Sequence, residues 1–359
     1  MAKNIVICLD GTSNEPESRP TNVARTFDIA LKDRDRQVAY YDPGVGTMGD
    51  RGATTRFGQT LSRIGGLAFG HGIKDNIAEA YQYLMQVYEP EDRVFVFGFS
   101  RGAYTARAFT GLLRTVGLLE RGADNLVPYA IKLYTGAPRS KSAKEKQDRY
   151  WEKVNRWRVM FCQPAFDPFG NPIQFLGVWD TVKSVGWFNI VGKFQQARWP
   201  FTRNVGGVAH GRHAISIDER RRYYSAYRFS DEALGDPERD LREVWFAGVH
   251  SEVGGGAEAP ELANIALKWM LDEASDLGLE LRPRKYSMQV GASQGKPQPS
   301  ELALGRSKPA GWVWAVIGLG WNPRPVPAGA LVHRSVRIRQ EDAALGYRPP
   351  FTAVEYVDR

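Results

Sequence analysis

Cysteine is scarce in this chain: Cys8 and Cys162 are the only two among 359 residues. So few cysteines exclude a disulfide framework, and the apolar run around Cys8 predicts a buried free thiol there. That run, Ile5–Leu9, is too short for the hydrophobic region of a signal peptide, and no stretch approaches the roughly 20 apolar residues that span a bilayer. We therefore expect a cytoplasmic protein by default, with export that needs no cleaved signal as the alternative.

Acidic residues are also in deficit, with 40 Asp and Glu against 48 Lys and Arg, which gives a net charge of +8. A basic surface attracts anions, so an anionic membrane surface is a candidate partner. The densest basic runs do not alternate with aromatic residues, which argues against a nucleic-acid partner. These runs are Lys141–Lys146, Arg220–Arg222 and Arg334–Arg339. The composition carries no signal for an oligomeric state.

Short apolar segments alternate with amphipathic ones over much of the chain. The apolar segments predict strands at Ile5–Leu9, Gln37–Tyr41, Val94–Phe97, Ile173–Val178 and Val244–Val249. Apolar residues spaced by three and four predict helices at Asn22–Leu31, Gly72–Val87, Arg101–Leu113 and Glu261–Ala274. This alternation is typical of an α/β fold. We predict one α/β-hydrolase-like domain over residues 1–359, with a mostly parallel central sheet, helices on both faces and a helical and loop cap.

Two stretches interrupt the alternation, and we predict both as insertions over the active-site edge of the sheet. Residues 122–167 are polar, helical and rich in Lys, Arg and Trp. Residues 182–212 resemble a lid because aromatic residues stand there among glycines and basic residues. These aromatics are Trp187, Phe188, Trp199 and Phe201. In the last part of the chain we predict a loop at Ser293–Gly320 and a strand at Ser335–Ile338.

Gly98-Phe99-Ser100-Arg101-Gly102 is a G-x-S-x-G segment between a predicted strand and a predicted helix. The pattern alone is weak, because in a chain with 37 glycines a chance match arises about one time in five. Its context is that of a nucleophile elbow, whose tight turn requires glycine at Gly98 and Gly102 on steric grounds. Ser100 is therefore the predicted nucleophile. The alternative is a serine that only caps the helix.

A serine hydroxyl needs a base, and the chain offers five histidines. His250 follows an apolar strand and precedes three glycines, which predicts that it lies at the same sheet edge as Ser100. An ordinary loop histidine is the alternative. The other four histidines lack this placement: His71, His210, His213 and His333.

The third member of such a site is a carboxylate that orients the imidazole and stabilises its protonated form. Asp180 comes directly after an apolar strand and is predicted at the same edge. Ser100, Asp180 and His250 occur in the chain order that α/β-hydrolases use. An aspartate that only caps the next turn is the alternative, in which case Asp218 or Glu219 would contact the histidine.

Acyl transfer also requires hydrogen-bond donors for the developing oxyanion. The first predicted donor is the backbone N–H of Arg101, which follows the nucleophile. The second is expected from the loop after the first strand, where Gly11 allows close approach and Thr12 offers its N–H.

Two alternatives would involve a metal ion. Asp10 follows a leading strand, as the nucleophile of many haloacid-dehalogenase-like phosphatases does, but the second acid of that pattern is absent. His210 and His213 have the spacing of a helical metal pair, but no third ligand stands at a convincing distance along the chain. We therefore predict no metal and no other cofactor.

Five segments together resemble the DUF2235 family, the α/β-hydrolase domain of Tle1-type phospholipase effectors. The resemblance runs in order through residues 3–256. Its motifs are Leu9-Asp10-Gly11-Thr12-Ser13-Asn14, Asp42-Pro43-Gly44-Val45-Gly46-Thr47, Gly98-Phe99-Ser100-Arg101-Gly102-Ala103, Gly177-Val178-Trp179-Asp180-Thr181-Val182, and Phe246-Ala247-Gly248-Val249-His250-Ser251-Glu252-Val253-Gly254-Gly255-Gly256.

This resemblance implies a serine esterase or lipase with Ser100, Asp180 and His250 as its triad and an acyl ester or lipid as its substrate. Glu252 departs from the family, which usually has aspartate there, so a supporting hydrogen bond near His250 is expected to differ. A metal-dependent phosphatase using Asp10 and a non-catalytic binding module on a hydrolase fold are the alternative functions.

Overall fold

The computed structural model describes residues 2–11, 19–44, 67–138, 142–182, 199–221, 224–257, 260–290 and 323–359. The strands in these ranges are β1 Asn4–Leu9, β2 Gln37–Asp42, β3 Arg93–Phe99, β4 Ile173–Trp179, β5 Val208–Ser216, β6 Asp240–Phe246, β7 Ala330–His333 and β8 Val354–Val357. The helices are α1 Asn22–Ile29, α2 Leu67–Val87, α3 Ser100–Val116, α4 Val127–Thr135, α5 Lys144–Phe161, α6 Asp231–Leu234, α7 His250–Gly254, α8 Glu261–Asp276, α9 Pro283–Val290 and α10 Arg334–Glu341.

All eight described strands form one sheet in the order β2-β1-β3-β4-β5-β6-β7-β8, and every described ladder is parallel. The predicted α/β fold is therefore confirmed. The strand order reverses between β1 and β3, since β2 lies on one side of β1 and the later strands lie on the other. In open parallel sheets, ligands bind in the crevice beyond the carboxyl ends of the strands at such a reversal.

Alternate residues of the central strands face two separate cores. Ile5, Ile7 and Leu9 of β1 pack into a core with α2 and α3, whereas Val6 and Cys8 pack into a second core with α1 and α8. A strand that is covered on both faces reads as a continuous apolar run, which is why β1 was recognisable in the sequence. A third, smaller core lies between β5 to β7 and α10.

The lid predicted over residues 182–212 is wrong at its end, because Val208–Ser216 is the central strand β5. The apolar pattern expected of a central strand is interrupted in β5 by charged and polar residues that are buried in ion pairs. Arg212 is paired with Asp240 and Glu273, with a distance of 2.6 Å for each pair. Trp187 and Phe188 lie outside the described residues.

The sequence predicts an insertion over the active-site edge at residues 122–167. The described helices of this segment lie elsewhere. The apolar side chains of α4 and α5 join the core beside α3, and Arg158 of α5 donates to the carbonyls of Arg114 and Thr115. Those carbonyls are at the end of α3 that is remote from Ser100. The insertion therefore widens the helical layer on one face of the sheet.

The carboxyl-terminal strand was assigned to the wrong residues. Ser335–Ile338 lies in helix α10, and the strands of this region are β7 and β8 at the edge of the sheet. Each has only four residues, most of them half-buried, which is too few to show an alternating pattern. The predicted loop Ser293–Gly320 lies outside the described residues. Within the described ranges, no helix combines the length and the hydropathy that crossing a bilayer requires.

Candidate active site

Ser100 stands on a strained turn between β3 and α3. Its backbone has a φ of +57°, a left-handed conformation that L-residues rarely adopt. A Cβ atom at Gly98 would lie 2.7 Å from the Cα of Ala103, and one at Gly102 would lie 2.2 Å from the carbonyl oxygen of Leu9. Backbone therefore occupies the space of both missing side chains, which explains why the turn requires glycine at these two positions.

The helix-cap alternative for Ser100 is wrong. The residue that caps α3 is Phe99, and no side chain makes a capping hydrogen bond there. The Ser100 hydroxyl instead contacts the imidazole of His250, with 2.8 Å between Oγ and Nε2.

A continuous line of hydrogen bonds joins the three predicted triad members. His250 is the first residue of α7, four positions after the last residue of β6, and its Nδ1 lies 2.5 Å from Oδ2 of Asp180. Asp180 follows β4 directly and has a φ of +37°. Because all three residues follow parallel strands, they meet at one edge of the sheet. Their exposed fractions are 8% for Ser100, 6% for His250 and 0% for Asp180, so the ionisable pair is shielded from water.

Two aromatic rings pack against the His250 ring, and a carboxylate holds its backbone. Its centroid lies 4.6 Å from that of Phe99 and 4.7 Å from that of Tyr224. The His250 backbone N–H donates to Glu219 at 3.3 Å. Burial lowers the pKa of His250 below its ordinary value, and this effect outweighs the opposite influence of Asp180. The imidazole is therefore neutral near pH 7, which is the state in which it can accept a proton.

Asp180 is held by more donors than the histidine alone. Its Oδ1 accepts hydrogen bonds from the backbone N–H of Ser216 at 2.9 Å and the hydroxyl of Ser216 at 3.1 Å. The guanidinium of Arg324 donates to both carboxylate oxygens. Burial alone would raise the pKa of Asp180, but the Arg324 charge and the His250 hydrogen bond hold it well below its ordinary range. Asp180 is therefore ionised. Neither Ser216 nor Arg324 was predicted from the sequence as part of the site.

His213 supports the turn that carries Asp180. The backbone N–H of Thr181 donates to His213 Nε2 at 3.1 Å, so the ring proton is assigned to Nδ1, which lies 3.0 Å from Glu243. Burial lowers the pKa of His213 to about 4. The helical metal pair is wrong in its premise, because His210 and His213 both lie on β5 and residues three apart on a strand face opposite sides.

The predicted oxyanion donors have different surroundings. The backbone N–H of Arg101 belongs to the first turn of α3, directly after the proposed nucleophile. The N–H of Gly11 donates to its neighbour Asp10 at 2.7 Å, so it is already engaged. Thr12 lies outside the described residues.

The carboxylate of Asp10 is engaged by residues of three neighbouring segments. Its Oδ2 accepts hydrogen bonds from the hydroxyls of Thr21 and Tyr41, and its Oδ1 accepts the bond from Gly11. A nucleophilic carboxylate would need a free oxygen, so this arrangement favours a structural role for Asp10 over the phosphatase alternative.

The loop before His250 is fixed by two carboxylates. Glu252 accepts the backbone N–H of Val249 at 2.8 Å, which caps α7. Asp218 accepts the backbone N–H of Gly248 at 2.7 Å and the hydroxyl of Tyr347 at 2.9 Å. The side chain of Glu252 therefore supports the backbone of this loop. Neither Asp218 nor Glu219 takes the place of Asp180 beside the His250 ring.

A family model described as "T6SS, Phospholipase effector Tle1-like, catalytic domain" matches residues 3–273. An uncharacterized protein of Saccharomyces cerevisiae is 32% identical over 225 residues, which are 61% of this chain and 31% of the yeast protein. The chain thus spans about a third of the length of this curated relative.

Two solved structures are similar at lower identity. One is the Tle1 effector bound to the VgrG spike from the type VI secretion system, at 16% identity and a TM-score of 0.47, covering 91% of this chain and 82% of that one. The other is an uncharacterized protein from Pseudomonas aeruginosa, at 19% identity and a TM-score of 0.46, covering 98% of this chain and 56% of that one.

Proposed function

Because the chain belongs to the Tle1-like catalytic-domain family of type VI secretion phospholipase effectors, we propose that it hydrolyses carboxylic esters of lipids with Ser100 as its nucleophile. Membership supports a hydrolase of the lipase or phospholipase kind. The assignment of residues rests on one observation, the hydrogen-bond line from Ser100 through His250 to Asp180. In this proposal His250 is the general base, and the ionised carboxylate of Asp180 orients its ring.

In the acylation step, Oγ of Ser100 attacks the carbonyl carbon of the ester while Nε2 of His250 takes the hydroxyl proton. The carbonyl oxygen becomes negative; in this proposal the backbone N–H of Arg101 at the start of α3 donates to it, and the helix dipole favours the charge. Asp180 stabilises the imidazolium that forms. The bond to the leaving alcohol then breaks, and His250 returns the proton to that alcohol.

In the deacylation step, water replaces the alcohol. His250 takes a proton from the water as its oxygen attacks the acyl carbon, and it returns the proton to Oγ of Ser100 when the acyl bond breaks. The products are a carboxylic acid and the regenerated enzyme, so the cycle needs no metal or other cofactor.

The substrate class is part of the proposal. The family description names phospholipases, and a net charge of +8 favours approach to an anionic membrane surface. The same description names secretion effectors. We therefore propose that the protein is exported without a cleaved signal, with a cytoplasmic location as the alternative.

The test is labelling by a fluorophosphonate probe together with hydrolysis of phospholipids and of short-chain p-nitrophenyl esters. We expect Ser100→Ala to abolish both, because it removes the hydroxyl that would take the acyl chain. Ser230→Ala is the matched control, since Ser230 also begins a helix but caps it through its own side chain. Unchanged labelling in Ser100→Ala would refute the mechanism. Loss of activity with a chelator, without any serine labelling, would favour the phosphatase alternative.

A further inference from the structure

We propose that Arg324 is a positioning residue of this site, which holds Asp180 ionised and turned toward His250 and so sets the pH range in which His250 acts. The proposal rests on the function proposed above. It concerns a residue 51 positions beyond the end of the family match at residue 273.

The guanidinium of Arg324 donates hydrogen bonds to the carboxylate of Asp180 from two nitrogens. Nη1 lies 2.5 Å from Oδ1, and Nη2 lies 3.0 Å from Oδ2. The same two nitrogens bind the carbonyl and hydroxyl of Ser216 and the carbonyl of Tyr224. This paired geometry is specific to arginine, since a lysine ammonium offers only a compact point charge.

Burial makes this contact necessary. Asp180 is fully buried and Arg324 is 5% exposed, so neither charge is stabilised by water. The resting His250 is neutral, and it gives Asp180 a hydrogen bond without a balancing charge. Arg324 is therefore the cation that compensates the carboxylate, and a buried carboxylate without such a partner is strongly destabilising.

The same cation acts on His250 through Asp180. Among the residues that the structure describes, four charged groups surround the imidazole: Asp180 on its ring side, Glu219 at its backbone, Arg324 behind Asp180, and Arg221, which pairs with Glu219 at 2.7 Å. The two carboxylates favour a protonated imidazole, whereas Arg324 opposes it. Without Arg324 the buried Asp180–His250 pair carries a negative charge that no cation compensates, so the pair, joined through Nδ1 of His250, should bind a proton at a higher pH.

The orientation of the carboxylate follows from the same contacts. Ser216 and Arg324 occupy Oδ1, while Oδ2 receives His250 and the second nitrogen of Arg324. With these donors fixed, Asp180 cannot rotate without breaking several bonds. The arginine thus fixes which oxygen meets the imidazole.

The experiment compares full-length Arg324→Gln and Arg324→Lys with the wild type. Two quantities are measured across pH: the NMR titration of the His250 imidazole, assigned with His250→Gln, and the rate of fluorophosphonate labelling. For Arg324→Gln we expect the titration and the acidic limb of labelling to move upward by on the order of one pH unit. We also expect labelling at the optimum to fall at least about tenfold, because Asp180 loses its orientation.

Arg324→Lys keeps the positive charge but loses the pair of nitrogens that bond both oxygens of Asp180. We expect the His250 titration to stay near the wild-type value while labelling remains slow. Arg212→Gln is the matched control, because Arg212 is also buried and paired with two carboxylates but does not contact Asp180. It should destabilise the fold without moving the titration of His250.

An unchanged His250 titration in a folded Arg324→Gln variant would overturn the proposal. If that variant does not fold, wild-type labelling by Arg324→Lys would overturn it instead. A wild type that is not labelled at all would count against the hydrolase proposal alone, since the His250 titration still measures the effect of Arg324.

Discussion

The turn that carries Ser100 has no room for a methyl group at Gly102. A Cβ atom there would lie 2.2 Å from the carbonyl oxygen of Leu9 and 2.4 Å from that of Asp10, where real Cβ contacts are essentially never under 3.0 Å. Both obstacles are backbone atoms and cannot rotate away. Gly102→Ala should therefore push the first turn of α3 away from the end of β1 by about 1 Å, the size of the overlap.

Two effects of different size follow from this displacement. Overpacking costs typically about 1–3 kcal/mol, and the upper end applies here because rigid backbone must yield. Ser100 moves with the turn, and a misplacement of about 1 Å can cost on the order of 100-fold in rate. We therefore expect a clear loss of stability and a larger proportional loss of serine reactivity.

The assay is urea unfolding together with the rate of fluorophosphonate labelling of the folded protein. Gly235→Ala is the control, because its Cβ would meet only one carbonyl, that of Asp231, at 3.3 Å. We expect the control to keep its labelling rate and to change the urea midpoint little. Wild-type stability and labelling in Gly102→Ala would refute the steric reasoning about the elbow.

Two further predictions concern the surroundings of the site. The folded-state pKa of His213, about 4, is below its ordinary value of 6.5, so between these values the unfolded chain binds a proton that the folded chain does not. Stability should therefore fall as pH decreases through this window, by about 1.4 kcal/mol per pH unit for this group, and His213→Gln should show a shallower dependence in urea melts. Tyr347→Phe removes the hydroxyl that donates to Asp218 and should lower the free energy of unfolding by about 1–3 kcal/mol. Equal urea midpoints for this variant and the wild type would contradict the assigned bond.

The sequence was sufficient for the parts of the site that depend on local pattern. Ser100, Asp180 and His250 each follow an apolar segment, and a parallel sheet brings the carboxyl ends of its strands to one edge. The elbow glycines were predictable because their spacing around Ser100 is local.

The supporting residues were not predictable in the same way. Arg324 lies 144 positions from Asp180 and follows a segment without a recognisable pattern. The sequence of strand β5 favours a lid over a core strand because its His and Arg residues break the apolar run. Their burial depends on Glu243, Glu273 and Asp240, which are distant in sequence and are revealed only by the folded chain.

Two of the proposed triad residues are in left-handed backbone conformations, Ser100 at a φ of +57° and Asp180 at +37°. Each such residue costs on the order of 1–3 kcal/mol and persists only where its surroundings determine it fully. Residues around each turn determine its conformation. Gly98 and Gly102 leave room for the turn at Ser100, and the hydrogen bond from the Thr181 N–H to His213 holds the turn at Asp180. The backbone strain is therefore located at the two residues whose side chains must extend beyond the sheet edge to meet His250. The buried network behind Asp180 is therefore best understood as the structure that keeps a strained, reactive arrangement in one geometry.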